Sequence, residues 1–178
     1  NSKNSTMKRL NKQSFVVFAV LIVGLIISQF LYKRFDLTQD KRYTLTETST
    51  LLLKNVNQEL QIDILLGGDL TGNYRILKNE IQFLLEELKE KNPKVKYRFV
   101  DPLEMAPSDM EAAGIVAIPI KTDKGVLNVY PYARLSYGEK SMWMETLVND
   151  PVTPFEELAI ASTEKLEYLF AEKIQKIT

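Results

Sequence analysis

The sequence predicts a mixed α/β domain, thioredoxin-like or Rossmann-like in its layering, carried behind an N-terminal transmembrane helix. Three observations lead there. A run of 18 uncharged, apolar residues lies near the N-terminus. Beyond it, short β-rich runs alternate with a long amphipathic helix, the pattern of a partly parallel sheet covered by helices. A last apolar stripe at helical spacing closes the chain as a covering helix.

The apolar run is Phe15–Tyr32, FVVFAVLIVGLIISQFLY, with Ser28 and Gln29 as its only strongly polar groups. At helical rise it spans roughly 27 Å, close to the hydrocarbon thickness of a bilayer. A buried core helix would show a polar stripe, and this run has none. A cleaved signal peptide would end in small residues. Gln29-Phe30-Leu31-Tyr32-Lys33-Arg34 offers none, so a retained anchor is expected. Lys8, Arg9 and Lys12 precede the run, while Lys33, Arg34, Lys41 and Arg42 follow it, so the flanking charge is nearly balanced. The short leading tail favours a cytoplasmic N-terminus with the domain on the far side. On that orientation the sequon Asn4-Ser5-Thr6 stays cytoplasmic and unmodified. The expected organisation is a cytoplasmic tail and anchor over 1–34 (helix 15–32), a connector and short helix over 35–59, and an extracytoplasmic α/β domain over 60–178.

Thr44-Leu45-Thr46-Glu47 has capping-box spacing and predicts a helix from about Thr46 to Asn55, with Leu45, Leu52 and Val56 on one face. Leu60–Leu66 (LQIDILL) is a strand. Gly67–Gly72 is a turn. Leu77, Ile81, Leu84, Leu85 and Leu88 define a helix over 74–91, stopped by Asn92-Pro93. Val95–Val100 is a second strand. A short helix over Ser108–Ala113 ends at Gly114. Ile115–Lys121 is a third strand containing Pro119. Because Gly114–Pro119 resembles the thioredoxin segment that carries a cis proline, a cis Ile118–Pro119 bond is expected. After the turn Thr122–Gly125 come strands Val126–Tyr137 and Lys140–Leu147. Thr153-Pro154-Phe155-Glu156 then opens a final helix. Its stripe is Leu158, Ala161, Leu166, Leu169, Phe170, Ile174 and Ile177.

Composition removes whole classes of chemistry. The chain of 178 residues has no Cys and no His, so thiol and imidazole catalysis, disulfides and Cys/His zinc sites have no residues to use. The first 34 residues hold six of the 23 basic groups and none of the 23 acidic ones. The remainder is therefore net negative by six, unsuited to meeting nucleic-acid phosphates.

Three stretches are candidate sites. The turn Gly67–Gly72 sits between strand and helix, where phosphates bind. It matches neither phosphate-binding glycine motif, and Asp69 would repel a phosphate. Asp69 and Asp101 fall at the carboxyl ends of adjacent predicted strands, where α/β sites form. Both also read as plain turn residues. Trp143, Tyr130, Tyr132 and Tyr137 lie on predicted strands and read as core or cross-strand partners, with a sugar- or peptide-binding face as the alternative. No catalytic, cofactor-binding or metal-ligating residue is assigned, and no Walker A lysine motif occurs.

The stretch Phe35-Asp36-Leu37-Thr38-Gln39-Asp40-Lys41-Arg42-Tyr43-Thr44-Leu45, directly after the apolar run, resembles the GldG-type auxiliary proteins of gliding-motility ABC transporters. These belong to a wider family of ABC-type auxiliary transport components. Leu77-Lys78-Asn79-Glu80, Tyr97–Pro102, Tyr137-Gly138, Glu164–Tyr168 and Ile174–Thr178 extend the likeness over nearly all the chain from Phe15. The resemblance implies a non-enzymatic subunit of the bacterial inner membrane. Its domain faces the periplasm, and its partners are the bilayer, a membrane permease and a cytoplasmic ATPase. It implies a role in gliding motility or linked protein secretion. It brings no catalytic residues and no cofactor. Members are longer, so a chain from Asn1 to Thr178 reads as an N-terminal portion. The competing expectation is a tethered solute- or glycan-binding domain using the loops Gly67–Gly72 and Asp101–Met105.

Overall fold

In the computed structural model the described residues are 17, 45–70, 72–123, 125–154 and 157–178. The predicted anchor 15–32, apart from Val17, and the connector as far as Thr44 lie outside them. Among the described residues no helix is long and apolar enough to cross a membrane. The chain divides into two compact units, Asn1–Arg42 and Tyr43–Thr178. The second is a mixed α/β domain built on a mixed sheet.

Its helices are α1 (Glu47–Leu53), α2 (Gly72–Lys91), α3 (Pro107–Ala112), α4 (Leu158–Thr163) and α5 (Leu166–Ile177). Its strands are β1 (Leu60–Ile64), β2 (Val95–Phe99), β3 (Ile118–Thr122), β4 (Gly125–Val129), β5 (Tyr132–Tyr137) and β6 (Lys140–Glu145). Four of them form one sheet in the order β2-β1-β5-β6. β1 runs parallel to β2 and antiparallel to β5, and β6 is antiparallel to β5. β3 and β4 make a separate two-stranded sheet.

Strand alternation gives the main sheet one apolar and one polar face. Leu60, Ile62 and Ile64 of β1, with Ala133, Leu135 and Tyr137 of β5, join Met142 and Met144 of β6 on the apolar face. There they meet Leu77, Ile81, Leu84, Leu85 and Leu88 of α2, the full set that helical spacing selects, and Leu166, Phe170, Ile174 and Ile177 of α5. Each such fully enclosed Leu or Ile contributes roughly 2 kcal/mol of apolar burial. The other face carries Gln61, Asp63, Arg98, Arg134 and Trp143.

Five expectations need correction. The predicted strand Val126–Tyr137 is two strands, because Pro131 interrupts it. Tyr132 N–H turns back to Tyr130 O at 2.8 Å, and proline has no N–H for a ladder. The predicted third strand does not enter the main sheet; it starts at Ile118 and pairs only with β4. The Ile118–Pro119 bond is trans, and an edge strand with one neighbour accepts a trans proline. The final helix is two helices, α4 and α5, parted at Glu164-Lys165. Thr153 caps neither; its hydroxyl donates to Asp150 Oδ2 at 2.8 Å. The N-cap of α1 is Thr46, whose Oγ1 accepts from Ser49 N–H at 3.2 Å. This places Glu47 at N1, out of the capping-box role.

Candidate functional site

The strand carboxyl ends of β1 and β2 open on a crevice of about 360 Å³. Gly67, Gly68, Asp69 and Asp101 line it together with β4, so the two aspartates singled out by sequence do share one site. Their local chemistry is that of turns. Gly67 N–H donates to Val100 O at 3.1 Å, drawing the β1 exit onto the β2 exit. A Cβ on Gly67 would lie 2.4 Å from that same oxygen, so only glycine fits. Asp101 caps the short 3-10 turn Pro102–Glu104 by accepting from Leu103 N–H at 3.0 Å. Asp69 is exposed. Thr71 of the same turn lies outside the described residues. Leu103 and Val126, at 90% and 69% exposure, give the crevice an apolar rim.

The aromatic candidates do not form one face. Tyr137 is buried on the apolar side and its hydroxyl accepts from Asn57 N–H at 3.0 Å. Tyr130 lines the strand-end crevice. Trp143 stands on the polar face, opposite Arg134 in the β5–β6 register.

That polar face holds a charge centre that sequence reasoning missed. Asp63, in the middle of β1, is buried to 4% exposure. Its register partners are Arg98 on β2 and Arg134 on β5. Arg98 grips it with two prongs, Nε to Oδ1 at 2.7 Å and Nη2 to Oδ2 at 3.2 Å. Arg134 Nη2 donates to Oδ2 at 2.8 Å, and Gln61 Nε2 to Oδ1 at 2.8 Å. Burial alone would raise this carboxyl. The hydrogen bonds from Arg98, Arg134 and Gln61 outweigh burial and hold it at about 2. The Arg134 guanidinium lies 5.5 Å from the centre of the Trp143 ring, a cation–π distance. A signal was available: an Asp within the apolar run L-Q-I-D-I-L-L is costly to bury without partners.

A second charged contact joins the cap of α1 to α5. Glu167 of α5 accepts from Thr46 N–H and from Thr46 Oγ1, both at 2.8 Å. Among the described residues no group of three acidic side chains converges as a metal site.

The fold and this centre define an α/β domain whose sheet is packed on one face and bears an arginine-bracketed carboxylate on the other. Residues 39–136 match the family described as Domain of unknown function (DUF7088), and the chain belongs to that family. The matched span runs from the connector into β5. Comparison with curated proteins and with solved structures gave no match.

Proposed function

We propose that this chain is a non-catalytic, membrane-anchored auxiliary subunit of an ABC-type transporter complex, linked to bacterial gliding motility or protein secretion. Its α/β domain stands in the periplasm and docks other components. The observation that carries this reading is the segment Phe35–Leu45, FDLTQDKRYTL, set two residues after 18 uncharged residues long enough to span a bilayer. The anchor packs beside permease helices, and a separate chain supplies the ATPase. The Thr46–Glu167 link supports a docking role, since it ties the entry of the domain to its last helix.

The sheet order β2-β1-β5-β6 supports a thioredoxin-like reading of the domain. On that reading β1, β2, β5 and β6 are the core strands, and α3 with the β3–β4 hairpin is an insertion before the third of them. The redox dithiol of thioredoxin has no counterpart in a chain without Cys, so the likeness concerns fold alone.

Affinity purification of the full chain from membranes in mild detergent tests the proposal. A multispanning permease and an ATPase are expected to co-purify. A solitary chain would overturn it. The second reading, a tethered solute- or glycan-binding domain, draws on the 360 Å³ crevice at the strand ends. A thermal-shift screen checks that one, because a bound ligand raises stability by mass action.

A further inference from the structure

The charge centre has donors left over. Asp63 accepts four hydrogen bonds, two on each oxygen, which fills the acceptor capacity of a carboxylate. It therefore acts as a positioning anion and offers nothing to a ligand. Each arginine carries five N–H donors; Arg98 spends two on Asp63 and Arg134 spends one. The Nε of Arg134 is enclosed and has no acceptor among the described residues. An enclosed cationic donor without an acceptor is costly.

Both arginines line a cleft of about 270 Å³ on the polar face of the sheet, with Glu104, Met105 and Trp143 among its walls. Glu104 stands on the exposed turn at the rim and acts on Arg98 through charge. The cleft thus holds two guanidinia and two carboxylates, and its net charge is zero. A simple anion gains at the arginines and loses at Glu104; a simple cation does the reverse. A small molecule with separated opposite charges gains at both ends.

We propose that this cleft binds a small zwitterion of the α-amino-acid type. The ligand carboxylate takes unspent terminal Nη N–H donors of Arg98 and Arg134, in the charge-assisted geometry guanidinium favours. The ammonium group faces Glu104. The side chain lies along Trp143. This site is distinct from the strand-end crevice and does not depend on the transporter reading.

Trp143 is the only tryptophan in the chain, so its emission reports on the cleft alone. The full chain in mild detergent is titrated with glycine, L-leucine and L-glutamine. Two isosteres of leucine serve as probes of charge: 4-methylpentanoate lacks the ammonium, and 3-methylbutylamine lacks the carboxylate. A saturable change in Trp143 emission is expected with at least one amino acid, and binding of each isostere is weaker by about tenfold or more, as loss of one charge-assisted contact implies. Arg98→Gln also removes two bonds to Asp63, so Glu104→Gln, on the exposed turn, is the deciding variant. It is expected to erase the preference for leucine over 4-methylpentanoate. No saturable response to any of the three amino acids, equal binding of the isosteres, or an unchanged preference in Glu104→Gln would overturn the proposal. Co-purification with a permease is a separate readout, so either idea can fail alone.

Discussion

Glu167 of α5 completes the N-terminal cap of α1 from 121 residues away, taking both the backbone N–H and the hydroxyl of Thr46 at 2.8 Å. In an ordinary capping box the N3 side chain reaches back to the N-cap N–H. Here N3 is Ser49, whose own N–H is held by Thr46 Oγ1. A glutamate from the far end of the chain takes the reciprocal half. The cap is therefore a tertiary contact, and helix start and chain end stabilise one another.

Glu167→Gln is expected to cost about 1 kcal/mol in urea unfolding, the scale of one capping bond. A double-mutant cycle with Thr46→Ala is expected to show positive coupling; additive losses would sink the link. Burial pushes the Glu167 carboxyl up, but hydrogen bonds from Ser49 and Thr46 outweigh it and hold the group below its ordinary range. A depressed carboxylate stabilises the fold above its unfolded-state pKa. That contribution fades as pH falls through the folded value. Glu167→Gln is thus expected to flatten the acid limb of the stability curve.

Asp63 is held harder. Its carboxyl lies at about 2 instead of 3.8, which corresponds to roughly 2 kcal/mol of stability at neutral pH. The direction is again that of a depressed acid, so this stability is present above about pH 4 and lost between there and about pH 2. Asp63→Asn leaves two arginines facing each other across β1 and is expected to cost about 3 kcal/mol or more. A melting temperature within a degree or two of the parent would contradict the ion-pair account.

Gly67 and Gly72 separate two reasons for glycine. At Gly67 a Cβ meets Val100 O at 2.4 Å and Val100 C at 2.5 Å; both are backbone atoms and cannot step aside. Gly72 has φ +56° with nothing within 4 Å of an added Cβ. Gly67→Ala is expected to cost about 2–3 kcal/mol through steric overlap, and Gly72→Ala about 1 kcal/mol through the left-handed backbone alone. Equal losses in chemical denaturation would remove the distinction.

Ser162 is fully buried in α4 and accepts from Val148 N–H at 2.9 Å while donating to Leu158 O at 2.6 Å. Ser162→Ala strands the Val148 amide. The expected cost is about 2 kcal/mol, with faster hydrogen exchange at Val148. Unchanged exchange there would show that the amide finds another acceptor.

Legibility followed range. Helix α2 could be read almost residue by residue, because its buried set recurs every three or four positions and needs no partner to be recognised. The glycine and proline stops after Asn92 and at Gly114 were local and were readable too. The final apolar stripe predicts one helix because it continues across Glu164-Lys165, where the chain in fact turns. The β-rich composition of Val126–Tyr137 predicts one strand, and Pro131 divides it into two.

The sequence by itself determined a mixed α/β domain and the chemistry it lacks, since periodicity and residue inventory are properties of short stretches. Only the tertiary structure decided that β3 and β4 leave the main sheet, that Asp63 sits between Arg98 and Arg134, and that Glu167 caps α1. The partners of Asp63 lie 35 and 71 residues away, and that of Glu167 lies 121 residues away. At those separations a charge looks like any other solvated side chain. The sheet register and the packing of α5 turn it into a specific bond, by removing water and leaving one partner in reach.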